Sequence, residues 1–178
     1  MTNNLIETFS NQKNIPEVIG EYYFNFTKNC EDGAFQLRYD GDENGFFTIT
    51  LYNRGVDIPD NLEDPIMLSE IEECINAIFE MEDQNCYQNV KLLMNEPYFF
   101  ENDKEPKFLS AVFKYDRYFE NGESLNEVSF LFLRSDHGFF NKVRFSVSTD
   151  ASEEVLEKME AFLIDWLNYI SVIGAPVN

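Results

Sequence analysis

The stretch FFTITLYN at residues 46–53 decides the class of fold that this chain is expected to adopt. Within it, Phe47, Ile49 and Leu51 alternate with residues of mixed polarity. Side chains of a β-strand point alternately to the two faces of a sheet, so this period of two predicts a strand with one apolar face. The chain is therefore expected to build a β-sheet.

Two further strands precede this stretch, at residues 22–28 and 34–39, and turn-forming residues at 31–33 and 40–45 separate the three strands. Short turns join neighbouring antiparallel strands, whereas parallel neighbours need a long crossover. The first third of the chain therefore predicts an antiparallel meander.

Helices are expected on both sides of this meander. A short helix is predicted over residues 1–10, and Pro16 limits its continuation. A second helix is predicted to open at Ser69, with Glu72 completing a capping box, and to end near Glu82. Residues at helical spacing form its apolar stripe: Ile71, Cys74, Ile75, Ile78 and Phe79.

The second half of the chain repeats the order of strands followed by a helix. Strands are predicted at residues 108–119, 127–133 and 139–148, and residues 90–94 are a short fourth candidate. A polar segment at residues 95–107, broken by two prolines, separates them. A last helix is predicted to be capped by Asp150 with Glu153 at its third position, and to be ended by Gly174 and Pro176. Its wide apolar face comprises Val155, Leu156, Met159, Phe162, Leu163, Trp166, Leu167 and Ile170.

These elements predict one α+β domain over residues 1–178, with a mostly antiparallel sheet of about six strands and two main helices packed on it. Turns ending in Gly-Phe-Phe begin strands at Gly45 and Gly138. Each is followed by a strand and a helix, which raises the possibility of a βββα duplication with half-repeats at residues 20–83 and 108–170.

The composition indicates a folded, strongly acidic protein. The net charge is −20 over 178 residues, yet 44% of the residues are hydrophobic and 18 are Phe, which disordered chains lack. Phosphate backbones and anionic membranes attract Lys and Arg, so this charge argues against nucleic-acid and membrane partners. An odd count of three cysteines and the lack of a signal-like N-terminus predict a cytoplasmic protein without a disulfide framework.

The most distinctive feature is the segment from Gly55 to Val90, which contains ten acidic residues and no Lys or Arg. Ordinary surfaces mix both signs of charge. We therefore predict an acidic interface for a basic protein, although solvated surface is the ordinary explanation of a charge run. The predicted partner-binding residues are Asp57, Asp60, Glu63, Asp64, Glu70, Glu73, Glu80 and Asp83. Adjacent aromatic residues such as Tyr22-Tyr23 and Phe46-Phe47 would add exposed anchors if one member of each pair lies outside the core.

Motifs for catalysis and for metal binding are weak, so neither an enzyme nor a cofactor is predicted. Residues 40–45 match the first half of a calcium loop, but the twelfth position, which needs a bidentate Glu, is Leu51. A hairpin turn is the preferred interpretation, and weak cation binding is the alternative. His137 is the single histidine, and its neighbours Ser135 and Asp136 do not make a triad by adjacency.

In size, acidity, α+β pattern and lack of catalytic motifs, the chain resembles the immunity proteins of bacterial contact-dependent growth-inhibition systems. The resemblance implies a non-catalytic protein that occludes the basic active site of a cognate toxin, such as a nuclease. Two alternatives stay open. The order of elements also looks like that of the small acidic chaperones of type III secretion, which are implied to be homodimers, and a hydrolase that uses paired carboxylates is the third possibility.

Overall fold

The computed structural model describes residues 5–173, which form three helices and eight strands. The helices are α1 (Leu5–Ser10), α2 (Pro65–Asp83) and α3 (Glu154–Ile173). The strands are β1 (Val18–Ile19), β2 (Tyr22–Asn29), β3 (Phe35–Asp40), β4 (Phe46–Tyr52), β5 (Tyr87–Tyr98), β6 (Phe108–Tyr118), β7 (Ser124–Asp136) and β8 (Phe139–Ser148). No helix in this described range is long and apolar enough to cross a membrane.

All eight strands belong to one antiparallel sheet, in the order β1-β2-β3-β4-β8-β7-β6-β5. The predicted α+β class with an antiparallel sheet is confirmed. The alternating stretch FFTITLY at residues 46–52 forms β4, which pairs with β8 at the centre of the sheet. Strands β4 and β8 therefore join the two meanders edge to edge.

The predicted count of about six strands is wrong, because the sheet has eight. Strand β1 has only two residues, too few for a visible alternation. Strand β5 was expected as a short piece at residues 90–94, but it runs for 12 residues and includes Pro97. It lies at the edge of the sheet, where a residue without an N–H is tolerated.

The predicted count of two main helices is also wrong, because α1 joins α3 in the core and makes a third. The start of α2 differs as well: the helix begins at Pro65 rather than at Ser69. The carboxylate of Asp64 caps it by accepting a hydrogen bond from the Ile66 N–H at 2.9 Å. Proline suits the first helical position because its missing N–H would have no partner there.

Helix α3 begins at Glu154 instead of directly after Asp150. The four residues before Leu5, and the predicted end at Gly174 and Pro176, lie outside the described residues.

The two long helices pack on opposite faces of the sheet. Phe47, Ile49 and Leu51 of β4 point to the face that α1 and α3 cover. On this face Phe162 of α3 stacks on Phe47, with ring centroids 3.7 Å apart and planes at 10°. Because side chains alternate along a strand, the residues between these three point to the other face.

Helix α2 covers the other face over β5, β6 and β7. Its apolar stripe packs against residues that include Phe113, Leu131 and Leu133. On the same face, Tyr52 of β4 and Phe140 of β8 belong to this packing, whereas Arg38, Thr48 and Arg144 lie outside it and line a polar groove. The sheet therefore presents a polar patch beside α2. The predicted half-repeats contribute β2–β4 with α2 and β6–β8 with α3, and their duplication stays a prediction.

Candidate functional site

The predicted acidic interface occupies the loop from residue 53 to residue 64 and the outer side of α2. Six of the eight predicted residues are exposed, namely Asp57, Asp60, Glu63, Glu73, Glu80 and Asp83. Glu72 and Glu82, which were not included in that set, are exposed beside them. The structure therefore exposes most of the predicted residues along this loop and helix.

Two of the eight residues have structural roles instead. Asp64 is half-buried and caps α2. Glu70 is only 4% exposed, so the expectation that it lies on the solvent side of the helix is wrong. The hydroxyl of Tyr52 donates to Glu70 Oε1 at 2.7 Å, and Arg54 Nη2 lies 3.0 Å from the same oxygen. A carboxylate at this position is retained because it is both hydrogen-bonded and paired.

Arg54 is the residue that sequence reasoning missed here. It stands one position before the base-free segment, yet it folds back onto α2 and contacts Glu73 Oε2 through Nη1 at 2.9 Å. The Glu73 hydrogen bond is the largest factor that raises the pKa of Arg54. Arg54 therefore neutralises part of the acidic charge at one border of the interface.

A cleft of about 430 Å³ lies between α2 and the sheet, next to this ion pair. Tyr52, Glu70, Cys74 and Lys142 are among the residues that line it. Cys74 is buried, as its place on the apolar stripe predicted, and burial raises the pKa of its thiol. Burial likewise raises the pKa of the Tyr52 hydroxyl. Both groups therefore hold their protons at neutral pH, which makes them hydrogen-bond donors and not nucleophiles.

Apolar side chains are exposed among the carboxylates of α2. Ile66, Leu68 and Phe79 expose 44%, 45% and 36% of their surface, although Phe79 was predicted to belong to the buried stripe. Leu68 and Glu72 are four residues apart, as are Phe79 and Asp83, so both pairs lie along one side of the helix. We call the exposed acids Asp57, Asp60, Glu63, Glu72, Glu73, Glu80, Glu82 and Asp83, with Ile66, Leu68 and Phe79, the α2 surface.

Two of the aromatic pairs place one ring in the core and the other at least partly toward solvent, whereas Phe139 and Phe140 are both buried. Tyr22 is buried and Tyr23 is exposed, while Phe47 is buried and Phe46 is half-buried. Phe99 is exposed after β5, but its neighbours Tyr98 and Phe100 pack against the core that α3 covers and not against α2. Phe79 is therefore the aromatic anchor that the α2 surface itself provides.

The other candidate motifs serve the fold. Residues 40–45 form the turn between β3 and β4, and the Asp40 carboxylate lies 2.6 Å from Arg38 Nε. Near His137, the Ser135 hydroxyl donates to the Pro59 carbonyl at 2.8 Å, and Asp136 pairs with Arg134 at 3.0 Å. The hydroxyl and the carboxylate are thus engaged away from the histidine, which gives no support to a triad.

No family model matches the chain, and no curated protein is significantly similar to it. Among solved structures, the chain aligns with the crystal structure of the di-domain ARO/CYC StfQ from the steffimycin biosynthetic pathway. The alignment has 11% identity and covers 96% of this chain and 93% of that chain, with a TM-score of 0.18. Such a TM-score does not indicate a shared fold, so the similarity carries no argument about function.

Proposed function

We propose that the protein binds a basic partner protein through the α2 surface and inhibits it stoichiometrically, in the manner of an immunity protein. The observation that carries this proposal is the combination of unpaired acids and exposed apolar residues on α2 and on the loop before it. Within residues 5–173, no Lys or Arg forms an ion pair with six of the exposed acids, which are Asp57, Asp60, Glu63, Glu72, Glu80 and Asp83.

Interfaces combine apolar anchors with a polar rim, and the α2 surface has both parts. Leu68 and Phe79 would insert into the partner, while the surrounding acids would pair with its Lys and Arg residues. The buried side of α2, with Met67, Ile71 and Ile75, fixes the helix against the sheet. A surface held in place before binding loses little conformational entropy when the complex forms.

Charge would also set the rate of complex formation. Opposite potentials steer association and can raise its rate constant to about 10⁸–10⁹ M⁻¹s⁻¹ at low salt. An active site that binds phosphates must be basic, so a nuclease-like toxin is the class of partner that this surface fits best. Occlusion of that site needs no catalytic residue in the inhibitor.

The test uses the product of the adjacent gene as the candidate partner, co-expressed with the intact chain and purified as a complex. The variant Glu72→Lys/Glu80→Lys/Asp83→Lys is compared with Glu17→Lys/Glu105→Lys/Glu120→Lys, which changes the charge equally at exposed acids elsewhere. We expect the first variant to associate at least tenfold more slowly at low salt, and the second to change the rate much less.

Equal effects of the two variants would show that only net charge matters and would contradict a specific α2 interface. If neither variant changed the rate of complex formation, the interface would lie outside the α2 surface. Glu70 is left out of the variant because its buried ion pair makes it a stability residue.

A further inference from the structure

A second charged region lies on the sheet beside α2, and its sign is opposite to that of the whole chain. A groove of about 350 Å³ runs over β3, β4 and β8, and ten residues line it. Four of these are the cations Arg38, Arg117, Lys142 and Arg144, and none is acidic. In a chain with 33 acids and 13 bases, ordinary surface would not produce this composition.

Strand register places two of these cations on either side of one hydroxyl. Arg38 pairs with Thr48 across β3 and β4, and Thr48 pairs with Arg144 across β4 and β8. Neighbouring strands are about 4.8 Å apart, so the two Arg backbones flank Thr48 at a separation of roughly 10 Å. In the adjacent row, Thr50 pairs with Lys142.

The charges of the groove are only partly balanced. Asp40 pairs with Arg38 at 2.6 Å, and the buried Glu127 pairs with Arg117 at 2.9 Å. Lys142 and Arg144 form no ion pair with a carboxylate in the described chain; Arg144 donates instead to Ser129 and Tyr115, at 2.9 Å each. Four cations and two carboxylates leave two positive charges in excess.

Several donors are left for a ligand. Within residues 5–173, the buried Nε of Arg117 has no hydrogen-bond partner, and the half-buried Thr48 hydroxyl forms no hydrogen bond. Among the described residues, Lys142 has no hydrogen bond or ion pair; its ammonium lies 5.4 Å from the centroid of Tyr52, and the side chain also lines the cleft next to α2. A strand face that only stabilised the sheet would pair these donors or replace them with apolar residues.

We propose that this groove binds a small organic dianion, a phosphomonoester or a dicarboxylate, above Thr48 and between Arg38 and Arg144. Guanidinium groups recognise the paired oxygens of phosphate and carboxylate bidentately, and a charge of −2 matches the excess of the groove. Lys142 adds a point charge at one end and Arg117 at the other. The groove concentrates an anion that the rest of the chain repels.

The experiment is isothermal titration calorimetry of the intact chain with three probes: inorganic phosphate, phenyl phosphate and succinate. Lys142→Met removes one cation without breaking an ion pair. Lys114→Met is the matched control, since Lys114 is an exposed lysine on β6 outside the groove. We expect saturable binding of at least one organic dianion to the wild-type chain, unchanged in Lys114→Met and weakened about tenfold in Lys142→Met.

Arg144→Gln gives a second readout, with an expected loss of about tenfold or more. The Arg144→Gln variant loses the hydrogen bonds to Ser129 and Tyr115, so its folding is checked by circular dichroism. If this variant is unfolded, the test rests on Lys142→Met. The relative affinities of phenyl phosphate and succinate identify the class of anion. Absence of saturable binding at roughly 10 mM probe, or equal weakening by Lys142→Met and Lys114→Met, would overturn the proposal. The titrations use small anions without the partner protein, so the two proposals can fail separately.

Discussion

Helices α2 and α3 each follow a three-strand meander, yet they bury different residues. On α3, Phe162, Leu163 and Trp166 are fully buried against the sheet. On α2, the buried side is aliphatic and includes a thiol and the carboxylate of Glu70, while Leu68 and Phe79 stay exposed. The difference indicates that α3 completes the main core, whereas α2 combines a thinner core with a surface available to a partner.

The charges of the two helices also fit a core role for α3 and an interface role for α2. Helix α3 carries Lys158, which lies 2.8 Å from Glu21 and 3.2 Å from Glu154. Helix α2 contains no Lys or Arg, and in the described part of the chain its ion pairs come from Arg54 of the preceding loop. Self-repulsion on α2 lowers stability, so a helix that served only the fold would be expected to carry compensating cations.

The largest expected effect is on α3. Phe162→Ala removes the ring stacked on Phe47 and its edge contact with Tyr22, with centroids 5.4 Å apart. Because the ring is fully buried, we expect a loss of about 3–5 kcal/mol in the free energy of unfolding. Denaturant unfolding of the intact chain measures it, and a loss below about 1 kcal/mol would contradict the assignment of α3 to the main core.

The sequence was sufficient for the elements whose signals are local. Strand β8 was predicted with its observed bounds, and the alternation in β4 correctly identified its buried face. The two-residue β1 and the edge strand β5 were missed or shortened, because pairing with a neighbour forms them and their own periodicity does not reveal it. Which face each helix covers depends on the crossovers, about which periodicity contains no information.

The next effect concerns the buried carboxylate of α2. Glu70→Ala leaves the Tyr52 hydroxyl without its acceptor and Arg54 with Glu73 alone. We expect it to lower the free energy of unfolding by about 1–3 kcal/mol. Glu72→Ala on the exposed side is the control, with an expected change within about 0.5 kcal/mol. If the two substitutions changed the free energy of unfolding equally, the buried position of Glu70 would contribute no more to stability than the exposed position of Glu72.

The candidate site was predicted only in part, because its local signals are visible in the sequence and its contacts between distant residues are not. A run of acids without bases is visible in the sequence, and six of the eight predicted residues are exposed. The burial of Glu70 depends on Tyr52 and Arg54, which come from another element, so helical spacing alone placed it on the wrong side. The cationic groove was missed because strand pairing brings its residues together from positions 38 to 144.

A smaller effect is expected in the pH dependence of stability next to the acidic loop. Burial raises the pKa of Asp136 above its ordinary value of 3.8, and the charge of Asp60 contributes in the same direction. The folded state then holds the proton more tightly than the unfolded state, so stability from this group is lost as pH rises through the folded-state pKa. The effect on the free energy of unfolding is about 1.4 kcal/mol for each tenfold difference in proton affinity between the folded and unfolded states.

We therefore expect the free energy of unfolding of the wild type, relative to Asp136→Asn, to fall as pH rises from 3.8 through the raised folded-state pKa. Thermal or denaturant unfolding across this range measures the difference. Asp60→Asn should narrow the pH range over which this difference changes, because it removes a like charge near Asp136. A difference that is flat with pH would mean that burial does not raise the pKa of Asp136. If Asp60→Asn left the pH dependence unchanged, the acidic loop would exert no repulsion on Asp136.

The smallest effect on stability is expected from the exposed apolar residues of α2, and here the two helices can be compared directly. Phe79 makes one edge contact with Phe113, at a centroid distance of 6.1 Å. We expect Phe79→Ala and Leu68→Ala to cost less than about 1 kcal/mol of stability each, yet to weaken partner binding by about 2 kcal/mol or more if the α2 surface is the interface. Leu156→Ala is the matched control, because Leu156 on α3 is 45% exposed, as Leu68 is. Two outcomes would contradict the distinction between a core helix and an interface helix. In the first, Leu156→Ala weakens partner binding as much as Leu68→Ala does. In the second, Phe79→Ala destabilises the fold as much as Phe162→Ala does and leaves the affinity for the partner unchanged.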